Sequence, residues 1–308
     1  MKTVTVFAPA TSANLGPGFD VFGVAIDGLG DWVTATRRKE VGVIIESIEG
    51  DDGRLPLEAD ENTAGIAARE TLRLIGADIG VALRLRKGLP LGSGLGSSAA
   101  SAAAATWAVN ALLGQPLSKQ ALLHACLVAE VGVSGWHADN VGPSLFGGFL
   151  LIRSYDPLDM IALPTPPGLI FVLVTPTCEL PTKMAREVLP KSILLKQHIV
   201  NNGNLAAMIA ALFKGSLPLL GRAIEDIIVE PVRAPLIPGF AAVKAAALEA
   251  GAFGCSISGA GPTLFAISDE MEKAKRIANA MQQAFQTHGG LSSQTHIAPV
   301  DNEGARIV

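Results

Sequence analysis

The chain has few aromatic residues, few charged residues and only three cysteines. Of its 308 residues, 5% are aromatic and 17% are charged, whereas 49% are hydrophobic. Such a composition excludes intrinsic disorder and predicts well-filled cores. Cys126, Cys178 and Cys255 lie far apart and form no CxxC pair. We therefore expect neither a disulfide framework nor a zinc site.

The chain also lacks a strong charge bias and long hydrophobic runs. Its 24 basic and 28 acidic residues give a net charge of -4, which gives no reason to expect nucleic acid or an anionic membrane as a partner. No segment supplies the ~18 to 20 strongly apolar residues of a membrane span, and the first residues lack the apolar core of a signal peptide. We expect a soluble, cytoplasmic protein whose anionic ligands need a local basic site.

Strand and helix patterns alternate along the chain. Residues 3–7, 32–37, 41–48 and 81–86 are predicted as strands, and residues 62–75 and 97–113 as helices. In the second half, residues 169–174, 255–257 and 263–267 are predicted as strands. Residues 8–20, dense in turn formers, and the polar residues 132–143 are predicted as loops. A Pro- and Asp-rich stretch at 154–168 predicts a boundary between two domains, 1–160 and 161–308. Because strands and helices are interleaved in both halves, we expect an α+β fold with mixed or antiparallel sheets.

The most informative segment is Pro90-Leu-Gly-Ser-Gly-Leu-Gly-Ser-Ser-Ala-Ala100, which we call the glycine loop. It places three glycines and three hydroxyls directly before a predicted helix. The first turn of a helix has unpaired N–H donors, so this segment suits a polyphosphate. No lysine follows the last glycine, so it is not a Walker A loop and a metal ion is the expected counter-charge. A tight strand-to-helix turn is the structural alternative.

A second glycine-rich segment spans residues 254–264, between two predicted strands. A β-hairpin with glycines at positive φ would explain it, but a hairpin turn needs about two such residues. The row of small residues favours backbone that lines a ligand and helps to shape the phosphate pocket.

Three segments together resemble the motifs of the GHMP kinases. They are the glycine loop, the N-terminal Ala8-Pro-Ala-Thr-Ser-Ala-Asn-Leu-Gly-Pro-Gly-Phe-Asp20, and Ser258-Gly-Ala-Gly-Pro-Thr263. The matching segments run in order from Phe7 to Leu264 and so cover nearly the whole chain. The resemblance implies a two-domain fold: an N-terminal domain like the second domain of ribosomal protein S5 (S5 domain 2-like) and a ferredoxin-like C-terminal domain.

The N-terminal motif and the segment His137-Ala-Asp139-Asn140-Val141 are most similar to family members that act on L-homoserine. The resemblance therefore implies phosphorylation of the side-chain hydroxyl of L-homoserine to O-phospho-L-homoserine, in threonine biosynthesis, with ATP and Mg²⁺. It also implies a homodimer. The alternatives are a GHMP kinase acting on another small hydroxyl compound and a non-catalytic, ligand-binding paralogue.

The resemblance assigns the nucleotide to the glycine loop and two further residues: Pro90, Leu91, Gly92, Ser93, Gly94, Leu95, Gly96, Ser97, Ser98, Ala99, Ala100, Asn62 and Gly259. It assigns the metal to Ser97, Ser98 and Glu130. Taken alone, Glu130 would be a solvated carboxylate near the end of a helix, and Asn62 would be the N-cap of the helix at 62–75. For Asn62 the two roles are compatible.

The resemblance assigns the amino acid to seven residues: Asn14, Asp20, His137, Asn140, Thr182, Arg186 and Arg233. The substrate amino group needs an acceptor such as Asp20, and guanidinium groups bind carboxylates in a bidentate manner. The structural alternatives are an Asx turn at Asn14 and Asp20, a hydrogen-bonding role for His137, and two surface arginines.

The candidate catalytic residues are Asp139, Asn140 and Glu130. Asp139 is the nearest acidic residue that could lie by the reacting hydroxyl, but the sequence assigns no general base. Thr11 falls where mevalonate kinases carry a lysine. Transfer can therefore rely on positioning and charge stabilisation, with the γ-phosphate taking the proton.

Overall fold

Two β-sheets and the helices packed on them make up the structure, a computed structural model that describes residues 3–133 and 135–308. The strands are β1 Thr3–Ala13, β2 Phe22–Arg38, β3 Gly42–Glu49, β4 Gly80–Arg86, β5 Phe149–Tyr155, β6 Leu158–Leu163, β7 Ile170–Pro176, β8 Gly254–Ile257, β9 Leu264–Ser268, β10 Ser293–Ala298 and β11 Arg306–Ile307. The helices are α1 Thr63–Ile75, α2 Ser97–Leu112, α3 Lys119–Glu130, α4 Ala138–Phe146, α5 Thr182–Glu187, α6 Leu195–Lys214, α7 Leu217–Ala223, α8 Glu230–Arg233, α9 Phe240–Glu249 and α10 Met271–Ala284.

The first sheet has the strand order β11-β1-β2-β4-β3, with β5 paired to β2 and β6 paired to β5. Only β3 and β4 pair in parallel; the other described pairs are antiparallel. The second sheet has the order β10-β7-β9-β8 and is antiparallel throughout its described pairs. The expected α+β architecture with mixed and antiparallel sheets is confirmed.

The two central strands of the second sheet, β7 and β9, are buried on both faces. Along β7, Phe171 and Leu173 pack into the large core below the first sheet, whereas Val172 and Val174 pack into a second core beneath α9 and α10. This division follows from the two-residue period of a strand. The near-continuous hydrophobic run in this strand is explained by burial on both sides.

Helix α2 lies at the centre of the N-terminal half. Thirteen of its residues, from Ala99 to Leu112, are buried, and most are alanine. Short side chains let the helix approach β1, β2, α1 and α3 closely, which places the glycine loop against the sheet. The helix predicted at 97–113 is confirmed to within one residue.

Two parts of the sequence prediction need correction. The segment 8–20 was expected to be a loop, but β1 continues to Ala13 by pairing with β2 beyond a register irregularity between Pro9 and Ala10. The polar loop expected at 132–143 is helical from Ala138 onward. Pro143 lies inside α4 and donates no N–H to the Asp139 carbonyl. Gly23 of β2 packs against that carbonyl, where a Cβ would lie only 1.8 Å from the oxygen.

The last residues return to the first sheet. Strand β11 pairs with β1, and Val300 forms a bridge to Ile26. Strand β6 extends the same sheet to Leu163. The domain boundary at 160/161 stays a prediction. Among the described residues, no helix combines the length and apolar composition needed to cross a bilayer.

Candidate active site

A cleft of about 420 Å³ lies where the two halves of the chain meet. It is lined by residues of the N-terminal motif, the glycine loop, the start of α4 and the segment 180–186, together with Arg233 and Gly259. The carboxylates and basic side chains at this cleft come from distant parts of the sequence, so the fold brings them together.

The three sequence motifs are in direct contact beside this cleft. The Ser258 hydroxyl donates to the Gly94 carbonyl at 2.8 Å and lies 2.9 Å from the Ser12 hydroxyl. A Cβ on Gly94 would lie 2.4 Å from the Ser258 carbonyl oxygen, and Gly94 has a φ of 78°. Glycine is therefore required at this crossing. The segment 258–263 does connect two antiparallel strands, β8 and β9, and its other contacts hold the glycine loop in place.

The glycine loop leads into α2 with backbone that only glycine adopts readily. Gly92, Gly94 and Gly96 have φ values of 64°, 78° and 68°. Gly96 is the N-cap of α2 and, being glycine, has no side chain that could cap the helix. First-turn N–H groups without a side-chain cap are suited to bind an anion. The Leu95 carbonyl accepts a hydrogen bond from Thr11 N at 3.0 Å, which fixes the loop to β1.

A lysine that sequence reasoning missed lies beneath the glycine loop. Lys87 donates to the Ser97 carbonyl at 2.9 Å and to the Ser101 hydroxyl at 2.7 Å, and it forms an ion pair with Asp31. The side chains of Lys87 and Asp31 are each 2% exposed. A Walker A loop has its lysine after the last glycine, whereas Lys87 comes before the glycine loop. The motif therefore gave no reason to consider it. Because Asp31 balances its charge, Lys87 does not replace a metal ion as counter-charge to phosphate.

The predicted metal residues converge at the start of α2. The Ser98 hydroxyl donates to Glu130 Oε2 at 3.1 Å, and Glu130 is only 2% exposed although it lines the cleft. The solvated-carboxylate alternative is therefore excluded. Ser97 instead places its hydroxyl 3.4 Å from the Leu89 carbonyl.

A carboxylate and a hydroxyl beside an anion-binding loop are the hard oxygen ligands that Mg²⁺ takes together with phosphates and water. No group of three or more His, Cys, Asp or Glu side chains suited to a metal occurs among the described residues. One carboxylate fits an ion held mainly by the nucleotide.

Asp20 and Arg186, which also line the cleft, form a two-bond ion pair. Arg186 Nη2 lies 2.8 Å from Asp20 Oδ1, and Nη1 lies 3.1 Å from Oδ2. His137 Nδ1 lies 3.5 Å from the same carboxylate. Burial lowers the pKa of His137 despite the nearby Asp20, which favours a neutral imidazole at pH 7.

Asn14 holds Asp20 in position. Its Oδ1 accepts from the Asp20 backbone N–H at 3.0 Å, and its Nδ2 donates to the Gly259 carbonyl at 2.9 Å. These contacts match the loop-stabilising alternative for Asn14. Thr182, at the first position of α5, is half-buried and lines the cleft.

Arg233 is 2% exposed and is not a surface arginine. It donates from Nε to the Ala185 carbonyl and from Nη1 to the Gly259 carbonyl, both at 3.0 Å. Burial, together with the nearby Arg186, lowers its pKa to about 10, so the guanidinium stays charged at neutral pH. Its position between backbone carbonyls and the cleft gives the site a fixed positive charge.

Asp139 and Asn140 lie in the first turn of α4. Asn140 Oδ1 accepts the Thr11 hydroxyl at 2.8 Å, so Thr11 orients this amide. Asp139 is 4% exposed, and burial, with a further contribution from Asp20, raises its pKa to about 7. A carboxyl that titrates near neutral pH can exchange a proton under physiological conditions.

Asn62 is confirmed as the N-cap of α1. Its Oδ1 accepts from Ala64 N and its Nδ2 donates to the Pro56 carbonyl, each at 3.0 Å. Asn62 also lines the cleft, so its role near adenine stays a prediction. Sequence reasoning missed an ion pair that joins the two halves of the chain, in which Arg54 binds Glu179 through two hydrogen bonds of 2.5 and 2.9 Å.

Comparison with known proteins identifies the class of this protein. The model of the GHMP kinases N terminal domain matches residues 62–148, and the GHMP kinases C terminal model matches residues 208–287. The chain therefore belongs to the GHMP kinase family. The predicted resemblance and the two-domain kinase fold are confirmed.

Relatives with full-length similarity are homoserine kinases. One from Arabidopsis thaliana is 51% identical over 315 residues, covering 99% of this chain and 85% of the relative. One from Chlorobium phaeobacteroides is 48% identical, with 100% of both chains covered. The crystal structure of a homoserine kinase from Cytophaga hutchinsonii matches with a TM-score of 0.96 at 45% identity, covering 100% of this chain and 98% of that one.

Proposed function

We propose that this chain transfers the γ-phosphoryl group of ATP to the side-chain hydroxyl of L-homoserine, which gives O-phospho-L-homoserine. The observation that carries the proposal is one cleft with two chemically different ends. We call the part lined by the glycine loop with Ser98 and Glu130 the nucleotide end, and the part lined by Asp20, Arg186 and Arg233 the amino-acid end. The similarity to homoserine kinases along the whole chain supports the same substrate.

The amino-acid end of the cleft suits a zwitterion. Asp20 is an acceptor for the substrate α-amino group, and Arg186 and Arg233 supply positive charge for the α-carboxylate. His137, beside Asp20, and Thr182, at the start of α5, complete this end. An amino acid whose hydroxyl extends toward the glycine loop would span the two ends.

The nucleotide end suits a triphosphate with a divalent cation. Backbone N–H groups at the glycine loop would bind the phosphates, and Ser98 and Glu130 would hold Mg²⁺, with Ser97 as a further candidate hydroxyl. When bound, Mg²⁺ would neutralise charge on the phosphates. Lys87 would keep the loop in its binding conformation from below.

Asp139 is our candidate for the proton acceptor. The homoserine hydroxyl oxygen bonds to the γ-phosphorus, the bond from that phosphorus to the β-γ bridging oxygen breaks, and ADP leaves. The hydroxyl proton passes to the Asp139 carboxylate. The pKa of about 7 and the position at the cleft support this role, and Asn140, oriented by Thr11, is placed to hold the hydroxyl.

A coupled assay of ADP release tests the proposal. L-Homoserine, mevalonate, galactose and shikimate would each be supplied with ATP and Mg²⁺. We expect rapid ADP release with homoserine and not with the other three compounds. Release with another compound and none with homoserine would favour a different GHMP kinase, and binding without any turnover would favour a non-catalytic paralogue. A homodimer and a cytoplasmic location stay predictions.

A further inference from the structure

The chain contains a single tyrosine, and it connects two parts of the cleft. Tyr155, the last residue of β5, donates its hydroxyl hydrogen to the Asp20 carbonyl at 2.8 Å. The same hydroxyl oxygen accepts the Ala138 backbone N–H at 3.1 Å. Its ring meets the His137 ring edge-on, with centroids 6.2 Å apart. The side chain of Tyr155 thus contacts Asp20, Ala138 and His137 at the amino-acid end.

The bond to Asp20 fixes an uncommon backbone conformation. Asp20 has a φ of 59°, in the left-handed region that non-glycine residues seldom occupy. Asn14 holds its N–H and Tyr155 holds its carbonyl, so the backbone is restrained on both sides. The direction of the Asp20 carboxylate depends on this restraint.

The bond to Ala138 fixes the start of α4. Ala138 is the first residue of the helix, and the N-cap residue, His137, makes no side-chain capping bond. Tyr155 therefore accepts from one of the four first-turn N–H groups that have no partner within the helix. Asp139 and Asn140 follow directly, so their placement depends on where this turn begins.

We propose that the Tyr155 hydroxyl is a positioning group that couples Asp20 to the first turn of α4. It acts through Asp20 and Ala138, and so fixes the position of Asp20, the acceptor for the amino group, relative to Asp139, the candidate proton acceptor. The inference rests on the proposed homoserine kinase activity. Burial raises the pKa of the Tyr155 phenol, so the hydroxyl keeps its proton and both bonds over the working pH range.

Tyr155→Phe is the direct test, because it keeps the ring and removes both hydrogen bonds. We expect the KM for homoserine to rise and kcat to fall, with a combined loss in kcat/KM of about tenfold, as two bonds of ordinary strength imply. The KM for ATP should change less than about twofold. If the two hydrogen bonds had only a structural role, these constants would stay unchanged and only the melting temperature would fall.

Ser154→Ala is a matched control. It also removes one hydroxyl, on the neighbouring residue, but the described hydrogen bonds of the Ser154 side chain stay within its own turn: to the Asp156 carbonyl at 3.1 Å and from the Asp156 N–H at 3.2 Å. Its kinetic constants should equal those of the wild type. Equal losses in both variants would overturn the coupling.

A second measurement does not depend on the variant folding. Because the chain has one tyrosine, incorporation of 3-fluorotyrosine gives a single ¹⁹F resonance, from position 155. We expect the resonance to shift when homoserine is added and to stay in place when an ATP analogue is added alone. A resonance unmoved by homoserine would overturn the inference. If the wild type phosphorylates homoserine and Tyr155→Phe has the same kinetic constants, the coupling is overturned but the proposed function stands. If the wild type does not phosphorylate homoserine, the proposed function is overturned as well.

Discussion

Asp20 and Arg186 bind each other through two hydrogen bonds, of 2.8 and 3.1 Å, in the cleft that we assign to the amino acid. Asp20, which we assign to the substrate amino group, and Arg186, which we assign to its carboxylate, thus neutralise each other's charge. A zwitterion can insert and give each partner a new counter-charge. A carboxylic acid without an amino group would leave Asp20 unpaired, and an unpaired charge in a half-buried site is costly. In our proposal, the pair would therefore favour amino acids over acids that lack an amino group.

The first prediction concerns this pair. Asp20→Asn and Arg186→Met should each raise the KM for homoserine roughly 10- to 100-fold, since each removes a charged hydrogen-bond partner of the substrate. The KM for ATP should stay within about twofold. Steady-state kinetics of both variants and the double variant check this. Because the residues are coupled, the double variant should lose less than the sum of the single losses. A parallel loss of ATP affinity would show that the pair belongs to the nucleotide site.

The second prediction concerns Glu130. Glu130→Gln keeps the acceptor for the Ser98 hydroxyl but removes the negative charge, so kcat should fall about 100-fold or more while homoserine binding persists. The apparent affinity for Mg²⁺, measured by titrating the cation against nucleotide binding, should fall as well.

Glu61→Gln is the control for that variant. Glu61 lines the same cleft beside Asn62 but is exposed. Its kcat should stay near the wild-type value. A Glu130→Gln enzyme with unchanged kcat and unchanged Mg²⁺ dependence would refute the metal role.

The third prediction concerns the pH dependence set by Asp139. Its pKa is about 7, and catalysis in our proposal needs the ionised form. The rate should therefore fall as the pH drops below about 7, and Asp139→Asn should lower kcat and remove this acidic limb. A variant that keeps most of the wild-type kcat would indicate that the γ-phosphate takes the proton.

The raised pKa of Asp139 also predicts that the stability of the protein depends on pH. The direction is opposite to that of catalysis, because the fold is favoured at low pH. The folded pKa of Asp139 lies above its ordinary value of 3.8, so its contribution to stability is fully present below that value and is lost as the pH rises through about 7. Asp139→Asn cannot ionise and should melt several degrees above the wild type at pH 8, with the difference shrinking toward pH 4. Thermal unfolding at both pH values checks the sign, and a variant less stable at pH 8 would contradict it.

The fourth prediction concerns the ion pair beneath the glycine loop. Lys87→Met leaves the buried Asp31 carboxylate without its cation and should lower the free energy of unfolding by about 3 to 5 kcal/mol. Asp31→Asn combined with Lys87→Met removes both charges and should recover part of that loss. Urea unfolding of the single and double variants measures the difference, and a double variant less stable than either single variant would contradict the pairing.

Sequence patterns predicted those parts of the site whose structure is decided by residues close together in the chain. The glycine loop, the helix that follows it and the N-cap at Asn62 depend on neighbouring residues, and each lies where its pattern indicates. Strands β7, β8 and β9 of the second sheet lie where strands are predicted, since β7 and β9 have continuous hydrophobic runs. Strand β10 is mostly polar, and no local signal predicted it. The substrate arginines were found only through family resemblance, since nothing local distinguishes Arg186 or Arg233 from a surface arginine.

Other features depend on contacts between distant residues. Lys87 meets Asp31 across 56 positions, and Tyr155 meets Asp20 across 135. Helix α4 begins in a stretch rich in turn formers, where tertiary contacts with Tyr155 and Gly23 outweigh local propensity. The extension of β1 to Ala13 consists of small residues with weak strand preference, and pairing with β2 decides it.

The most direct test of the account is to identify the product. Purified protein would be incubated with ATP, Mg²⁺ and L-homoserine, and the mixture followed by ³¹P NMR with coupling to protons. We predict one new phosphomonoester resonance for each ADP formed, coupled to the two protons of the side-chain methylene next to the former hydroxyl. ADP accompanied only by inorganic phosphate, or an ester formed with mevalonate or galactose and not with homoserine, would contradict the assignment.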